Sequence, residues 1–251
     1  MYKIPANTLF LGQKMIYVPE CHSTNSLLGE LNNQTELPEG TVLITNHQTA
    51  GRGQRGNRWE SNPAENLTFS ILLKPKFLNT TDQFQLNIAV AVGVADGLAG
   101  LAPHPIALKW PNDIFADDKK IGGVLIECQS QGNSLSLSIV GIGININQKS
   151  FSHPNAASLS NLSGLNYDLN NVLGRVIKSI EVAYLDLRAG AISILKNRYL
   201  NQLYTYRQLR SFEAGTHKFS GSIVDVDEQG RLCIESEGEV RKFLFKEVRM
   251  M

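Results

Sequence analysis

Residues 51–59, Gly51-Arg52-Gly53-Gln54-Arg55-Gly56-Asn57-Arg58-Trp59, place three guanidinium groups within seven residues, and no acid stands between His47 and Trp59. Glycines in such a loop let backbone N–H groups come close to a ligand. Guanidinium groups meet phosphates and carboxylates through paired hydrogen bonds. The stretch formally fits GxGxxG, but a dinucleotide fingerprint needs a helix directly after its glycines. Glu60-Ser61-Asn62-Pro63 and then a β-rich run follow instead, so dinucleotide binding is rejected. Taken by itself, the loop fits both an anion site and a solvated surface loop that carries arginines.

Two further stretches carry chemistry. Lys109-Trp110-Pro111-Asn112-Asp113 puts a cation, an amide and an acid at a strand end, and Lys120 follows seven residues after Asp113. Lys109 and Lys120 are placed to flank an anion; an ordinary charged turn at Lys119-Lys120 is the plainer reading of the second. Gly141-Ile142-Gly143-Ile144-Asn145 sets two glycines in a strand, which marks close approach of a ligand or of another backbone. Asn145 can hydrogen-bond a base or sugar, or can sit exposed beside a bulge. The five histidines have no metal-ligand spacing, and there is neither a G-x-S-x-G elbow nor a phosphate-binding G-x-x-x-x-G-K-[ST] loop.

These residues need elements to hold them. A strand over 15–18, a helix capped within Ser23-Thr24-Asn25, and strands over 41–45 and 67–73 are expected. A helix over 80–98 follows from the spacing of Phe84, Ile88, Val92, Ala95 and Leu98. Residues 107–110 read as extended, 114–128 as a hairpin turning at 117–120, and 135–146 as a long strand. Residues 168–203 read as helical with a break at Ala189-Gly190. Strands over 219–226, 231–235 and 240–248 then predict a separate small β-barrel. The body is α+β without strict strand–helix alternation.

Composition removes whole classes. With 24 Lys+Arg against 23 Asp+Glu, the formal charge of +1 leaves no basic footprint for nucleic acid. At 251 residues and 42% hydrophobic, the chain suits one large domain, or one domain plus a small one. Cys21, Cys128 and Cys233 are scattered and odd in number, which points to reduced thiols in a cytoplasmic protein. No run is long and apolar enough for a signal peptide or a membrane span.

The Ser-Thr-Asn segment, the GRGxxGxxW loop, the KWPND strand end, the Lys120-Ile121-Gly122-Gly123 hairpin and the GIGIN strand occur here in an order that resembles the biotin protein ligases, from about Ile16 to Val248. The resemblance implies an α+β catalytic domain related to class II aminoacyl-tRNA synthetases over 1–206, and an SH3-like barrel over 207–251. It implies two half-reactions: biotin and ATP give biotinyl-5′-adenylate, and a lysine of the biotin carboxyl carrier protein of acetyl-CoA carboxylase then takes the biotin. Ser23, Thr24, Asn25, Gln48, Gly51, Arg52, Trp59, Lys120, Gly123 and Gly143 are thereby expected around biotin. Arg52, Arg55, Lys109, Asn112 and Asn145 are expected on ATP and the adenylate. Arg52, Arg55, Lys109, Lys120 and Asp113 form the expected catalytic set. Mg²⁺ is implied with ATP, its position unassigned, with Asp113 the nearest acid.

Two departures stand out. Gln54 replaces a further arginine common in the family, so retention of the adenylate is expected either to be weaker or to rest on Arg55 and Arg58. Only 22 residues precede Ser23, so no DNA-binding head, no repressor activity and no nucleic-acid or membrane partner are expected. Monomer and homodimer both remain open. Lipoate–protein ligase and a non-catalytic biotin or nucleotide sensor are the competing readings; the KWPND and GRGxRG residues favour the first-named family.

Overall fold

The computed structural model describes residue 2 and residues 7–251. Strand β1 (Met15–Cys21) leads through α1 (Thr24–Gln34) to β2 (Val42–Gln48), which lies parallel to it. Then come β3 (Leu67–Leu73), α2 (Gln83–Leu98), β4 (Ala107–Lys109), β5 (Asp113–Ala116), β6 (Lys119–Gln131) and β7 (Ser134–Ile144). The short α3 (Leu159–Ser163) precedes α4 (Leu169–Arg188) and α5 (Ile192–Gln202). Strands β1 to β7 form one sheet in the order β1-β2-β3-β7-β6-β5-β4, antiparallel at every pairing but the first.

Period-2 alternation gives this sheet two unlike faces. Val42, Ile44, Phe69, Ile71, Val140 and Ile142 point to the main core, which α2, α4 and α5 fill. Leu43, Leu72, Leu137 and Ile139 point the other way and meet Leu28 of α1. That second face is only partly covered. Beyond its apolar end the register sets Thr68 opposite Gly143 and Ser70 opposite Gly141. Gly143 in turn faces Gly123, and Gly141 faces Leu125. Small and polar side chains across β3, β7 and β6 thus leave a hollow beneath the start of α1.

The segment before β1 is fixed from far away. Glu181 of α4 is buried, and its carboxylate accepts the backbone N–H groups of Leu9, Phe10 and Leu11, each at 2.8 Å. Hydrogen bonds to an ionised group offset the cost of burying its charge.

The C-terminal strands are β8 (Leu209–Ala214), β9 (His217–Val226), β10 (Leu232–Ser236), β11 (Glu239–Phe243) and β12 (Arg249–Met250). Their sheet has the order β11-β10-β9-β8-β12 and is open. The α+β class holds, but the expected SH3-like barrel is corrected: no sheet is closed, because β11 and β12 do not pair. The strand expected over 240–248 stops at Phe243 and turns, with Lys246 at φ +75° and Phe245 bridging Val248. What returns as β12 is two residues long and pairs with β8, leaving β11 as an edge. Phe212, Ile223, Leu232 and Phe243 of this sheet pack into the main core.

Candidate active site

The hollow on the second sheet face opens into a cavity of about 470 Å³, walled by residues of both sheets. Its floor is made by the glycine rows. A Cβ added at Gly141 would lie 2.4 Å from Asn25 Oδ1, and one at Gly143 would lie 2.3 Å from the Trp59 indole. Any side chain at either position would displace what now rests on the strand.

One end is built by the first turn of α1. Ser23 is its N-cap residue, yet its buried side chain makes no capping bond. Gln48 Oε1 fills that role, accepting from Thr24 N at 2.7 Å and from Thr24 Oγ1 at 3.1 Å. Ser70 Oγ donates to Thr24 Oγ1 at 2.7 Å and lies 2.6 Å from Asn25 Oδ1. Asn25 Nδ2 donates to Leu125 O and to Glu127 Oε2. Asn25 therefore lines the cavity with its amide committed to the protein, while Ser23 and Gln48 keep polar atoms to spend.

The Gly/Arg loop folds over this end. Arg52 and Arg58 form an antiparallel bridge around a single 3₁₀ turn at Gln54–Gly56, and Trp59 N donates to Gly51 O at 3.0 Å. Arg52 Nη2 reaches Glu127 Oε2 at 2.8 Å. Gly51 is buried under the loop and lines the groove on its outer side rather than the main cavity. The Gln54 Oε1 and Trp59 Nε1 atoms are buried without a hydrogen-bond partner among the described residues. The side chain of Arg55 lies outside the described residues.

The opposite wall is the strand end that carries Lys109. Asn112 is locked through its amide to Val124 O. Asp113 Oδ1 holds Lys120 Nζ at 2.6 Å. Lys109 Nζ rests 4.8 Å from the Phe115 ring centroid and 5.6 Å from that of Tyr204. Burial and the neighbouring Asp118 carboxylate push the Tyr204 phenol up to about 12, so it stays protonated at neutral pH. Trp110 Nε1 donates to Gly230 O at 2.9 Å, and its ring meets Phe245 edge-on at 5.9 Å, tying this wall to the C-terminal sheet. Lys246 and Arg249 of that sheet also line the cavity.

Ser23, Thr24, Asn25, Gln48, Arg52, Trp59, Lys109, Asn112, Asp113, Lys120, Gly123 and Gly143 all line the one cavity. Asn145 is not brought to its wall: it is buried at the end of the glycine strand, its Nδ2 donating to Ala157 O at 3.0 Å and its Oδ1 unpartnered among the described residues. Glu127, Ser70, Tyr204 and the C-terminal residues are the site members that sequence reasoning missed. Glu127 was within reach, since Gly123, Leu125 and Glu127 follow one another at period 2 along β6. Among the described residues no three acidic, histidine or cysteine side chains gather to hold a metal, and the nearest carboxylate, Asp113, is engaged by Lys120.

Comparison with known proteins places this geometry. Residues 17–145 match the model of the Biotin/lipoate A/B protein ligase family. The bifunctional ligase/repressor BirA of Bacillus spizizenii is 32% identical over 97% of this chain and 76% of its own length. The biotin–[acetyl-CoA-carboxylase] ligase of Mycobacterium tuberculosis is 29% identical over 88% of this chain and 83% of its own length. The solved biotin protein ligase of Aquifex aeolicus, in complex with biotin and ATP, aligns with a TM-score of 0.77 at 29% identity, covering 95% of this chain and 99% of that one.

Proposed function

The chain belongs to the biotin/lipoate A/B protein ligase family, and from that premise we propose how its cavity works as an ATP-dependent biotin protein ligase. The enzyme joins biotin to ATP as biotinyl-5′-adenylate and transfers biotin to a lysine of a carboxylase carrier protein. The observation that carries this reading is one cavity holding a neutral, glycine-floored slot between two sets of cations, Arg52 on the loop and Lys109 with Lys120 on the sheet.

In the first step a biotin carboxylate oxygen bonds the α-phosphorus and pyrophosphate leaves. Two anions must meet, so preplaced cations both lower the repulsion and hold the charge that develops. Lys120 bridges the carboxylate and the α-phosphate. Arg52, Arg55, Lys109 and Asn112 take the phosphates, and Asn145, which lies off the wall, meets the adenylate through its unpartnered Oδ1 only as the wall shifts on binding. Ser23, Thr24 and Gln48 read the ureido ring; Gln48 Nε2 is the donor left over once Oε1 has satisfied Thr24. Gly51, Gly123 and Gly143 allow the close approach, and Trp59 walls the slot. In the second step the carrier amine attacks the acyl carbon, the bond to AMP breaks, and Asp113, beside Lys120, is the acid nearest the incoming amine. Mg²⁺ enters as the counter-ion of the nucleotide substrate, held by its phosphates.

We assign residues 1–206 to the catalytic unit and 207–251 to the C-terminal unit, and place the enzyme in the cytoplasm. No helix among the described residues is long and apolar enough to cross a membrane. The net charge of +1 supports a protein carrier rather than nucleic acid as partner.

The test is transfer of labelled biotin to a carrier fragment with and without ATP. Labelling that needs ATP is expected. Pyrophosphate release driven by lipoate and not by biotin would move the assignment to lipoate–protein ligase. Neither acid driving release would leave a sensor.

A further inference from the structure

Lys109 and Lys120 stand on β4 and β6, the two strands that flank β5, yet only one has a carboxylate. Asp113 is the cross-strand partner of Lys109 on β4 and β5, but it gives its oxygen to Lys120 at 2.6 Å. No acid pairs with Lys109 among the described residues. Its ammonium lies instead over two rings, 4.8 Å from the centroid of Phe115 and 5.6 Å from that of Tyr204. The rings stand 5.2 Å apart at 40°. Tyr204 is itself fixed three ways. Its backbone N donates to Leu108 O at 2.8 Å, its ring packs on Phe115, and its phenol donates to Asp118 Oδ1 at 2.7 Å.

A lysine stem carries much rotamer freedom, and holding it with a carboxylate would cancel its charge. An aromatic face attracts a cation through its quadrupole and adds no net charge. We propose that Tyr204, tethered by Asp118, is a positioning residue that holds Lys109 over the cavity as an unneutralised cation for the phosphates of the nucleotide. The inference rests on the reading of Lys109 as a phosphate ligand.

ATP–pyrophosphate exchange on the full chain tests it, with KM measured separately for ATP and for biotin. Tyr204→Leu is expected to raise the KM for ATP about fivefold, the yield of one cation–π contact, and to leave the KM for biotin unchanged. In the Lys109→Ala background the same substitution should add nothing, because the two residues act as one unit. Tyr204→Phe and Asp118→Gly each cut the tether and keep the ring, and each should raise the KM for ATP about twofold. Glycine suits position 118, where φ is +57°. If Tyr204→Leu does not fold, these two variants decide. A Tyr204 effect that falls equally on both substrates, that persists without Lys109, or that is missing while Lys109→Ala raises the KM for ATP overturns the proposal alone. A Lys109→Ala enzyme with an unchanged KM for ATP overturns the reading of Lys109 as well.

Discussion

Arg52 and Lys120 are each paired with one carboxylate, at 2.8 Å to Glu127 and 2.6 Å to Asp113, yet they are held by different means. Lys120 is the second residue of β6, where its backbone N and O are bonded to Asn155 and Ala157 and its strand is paired on both sides. Arg52 sits on a loop closed by one bridge and one 3₁₀ turn. Its ion pair is 45% and 42% exposed, which leaves the pair little net energy. The sheet therefore presents a cation ready-made, whereas the loop presents one that ligand binding can reposition at small cost. An enzyme that must admit two substrates and then close over a labile intermediate needs both kinds.

Six variants test this contrast, from the largest effect down. Lys120→Ala should lower the rate of adenylate formation by about 10²- to 10³-fold, as expected for a preplaced group that meets developing charge. Arg52→Ala should cost clearly less, and pyrophosphate exchange in which it costs as much would erase the contrast. Gly141→Ala should destabilise the fold by about 1–3 kcal/mol, because the new Cβ meets the buried Asn25, whose Nδ2 is held by Leu125 O and Glu127. Its loop counterpart Gly53→Ala meets Asn57 O only at 3.3 Å and should cost less than about 0.5 kcal/mol in the same urea titration. Glu127→Gln should change the unfolding free energy by under about 1 kcal/mol, while protease cuts between 52 and 58 become faster. A loop no more susceptible than before would show that Glu127 does not hold it. Gln54→Arg is the mildest: release of adenylate into solution should slow about two- to threefold, the modest share of one exposed cation. Unchanged release would remove any role for this position in retention.

The sequence exposed the elements whose signals are local. The apolar run of β3 gives its limits at Leu67 and Leu73, and the Ala189-Gly190 break separates α4 from α5 as expected. Helix α3 escaped because its capping box uses Asn161 where a glutamate or glutamine would have been the signal. The barrel expectation failed because closure is decided by which edges meet, and a left-handed residue at Lys246 sends the chain to β8 instead of β11. At the site, residue types marked the cations and glycines, but not their partners. Glu127 lies 75 positions from Arg52, and Tyr204 lies beyond three strands and three helices from Lys109; only strand register and packing bring them together.

The carboxylate of Glu181 links the start of the chain to a residue 170 positions later. During synthesis the amides of Leu9, Phe10 and Leu11 have no such acceptor until α4 has left the ribosome, after all seven strands of the main sheet have been made. A segment made before every strand of the main sheet is thus among the last to be locked, and amide exchange in these three residues should report completion of the body rather than its onset.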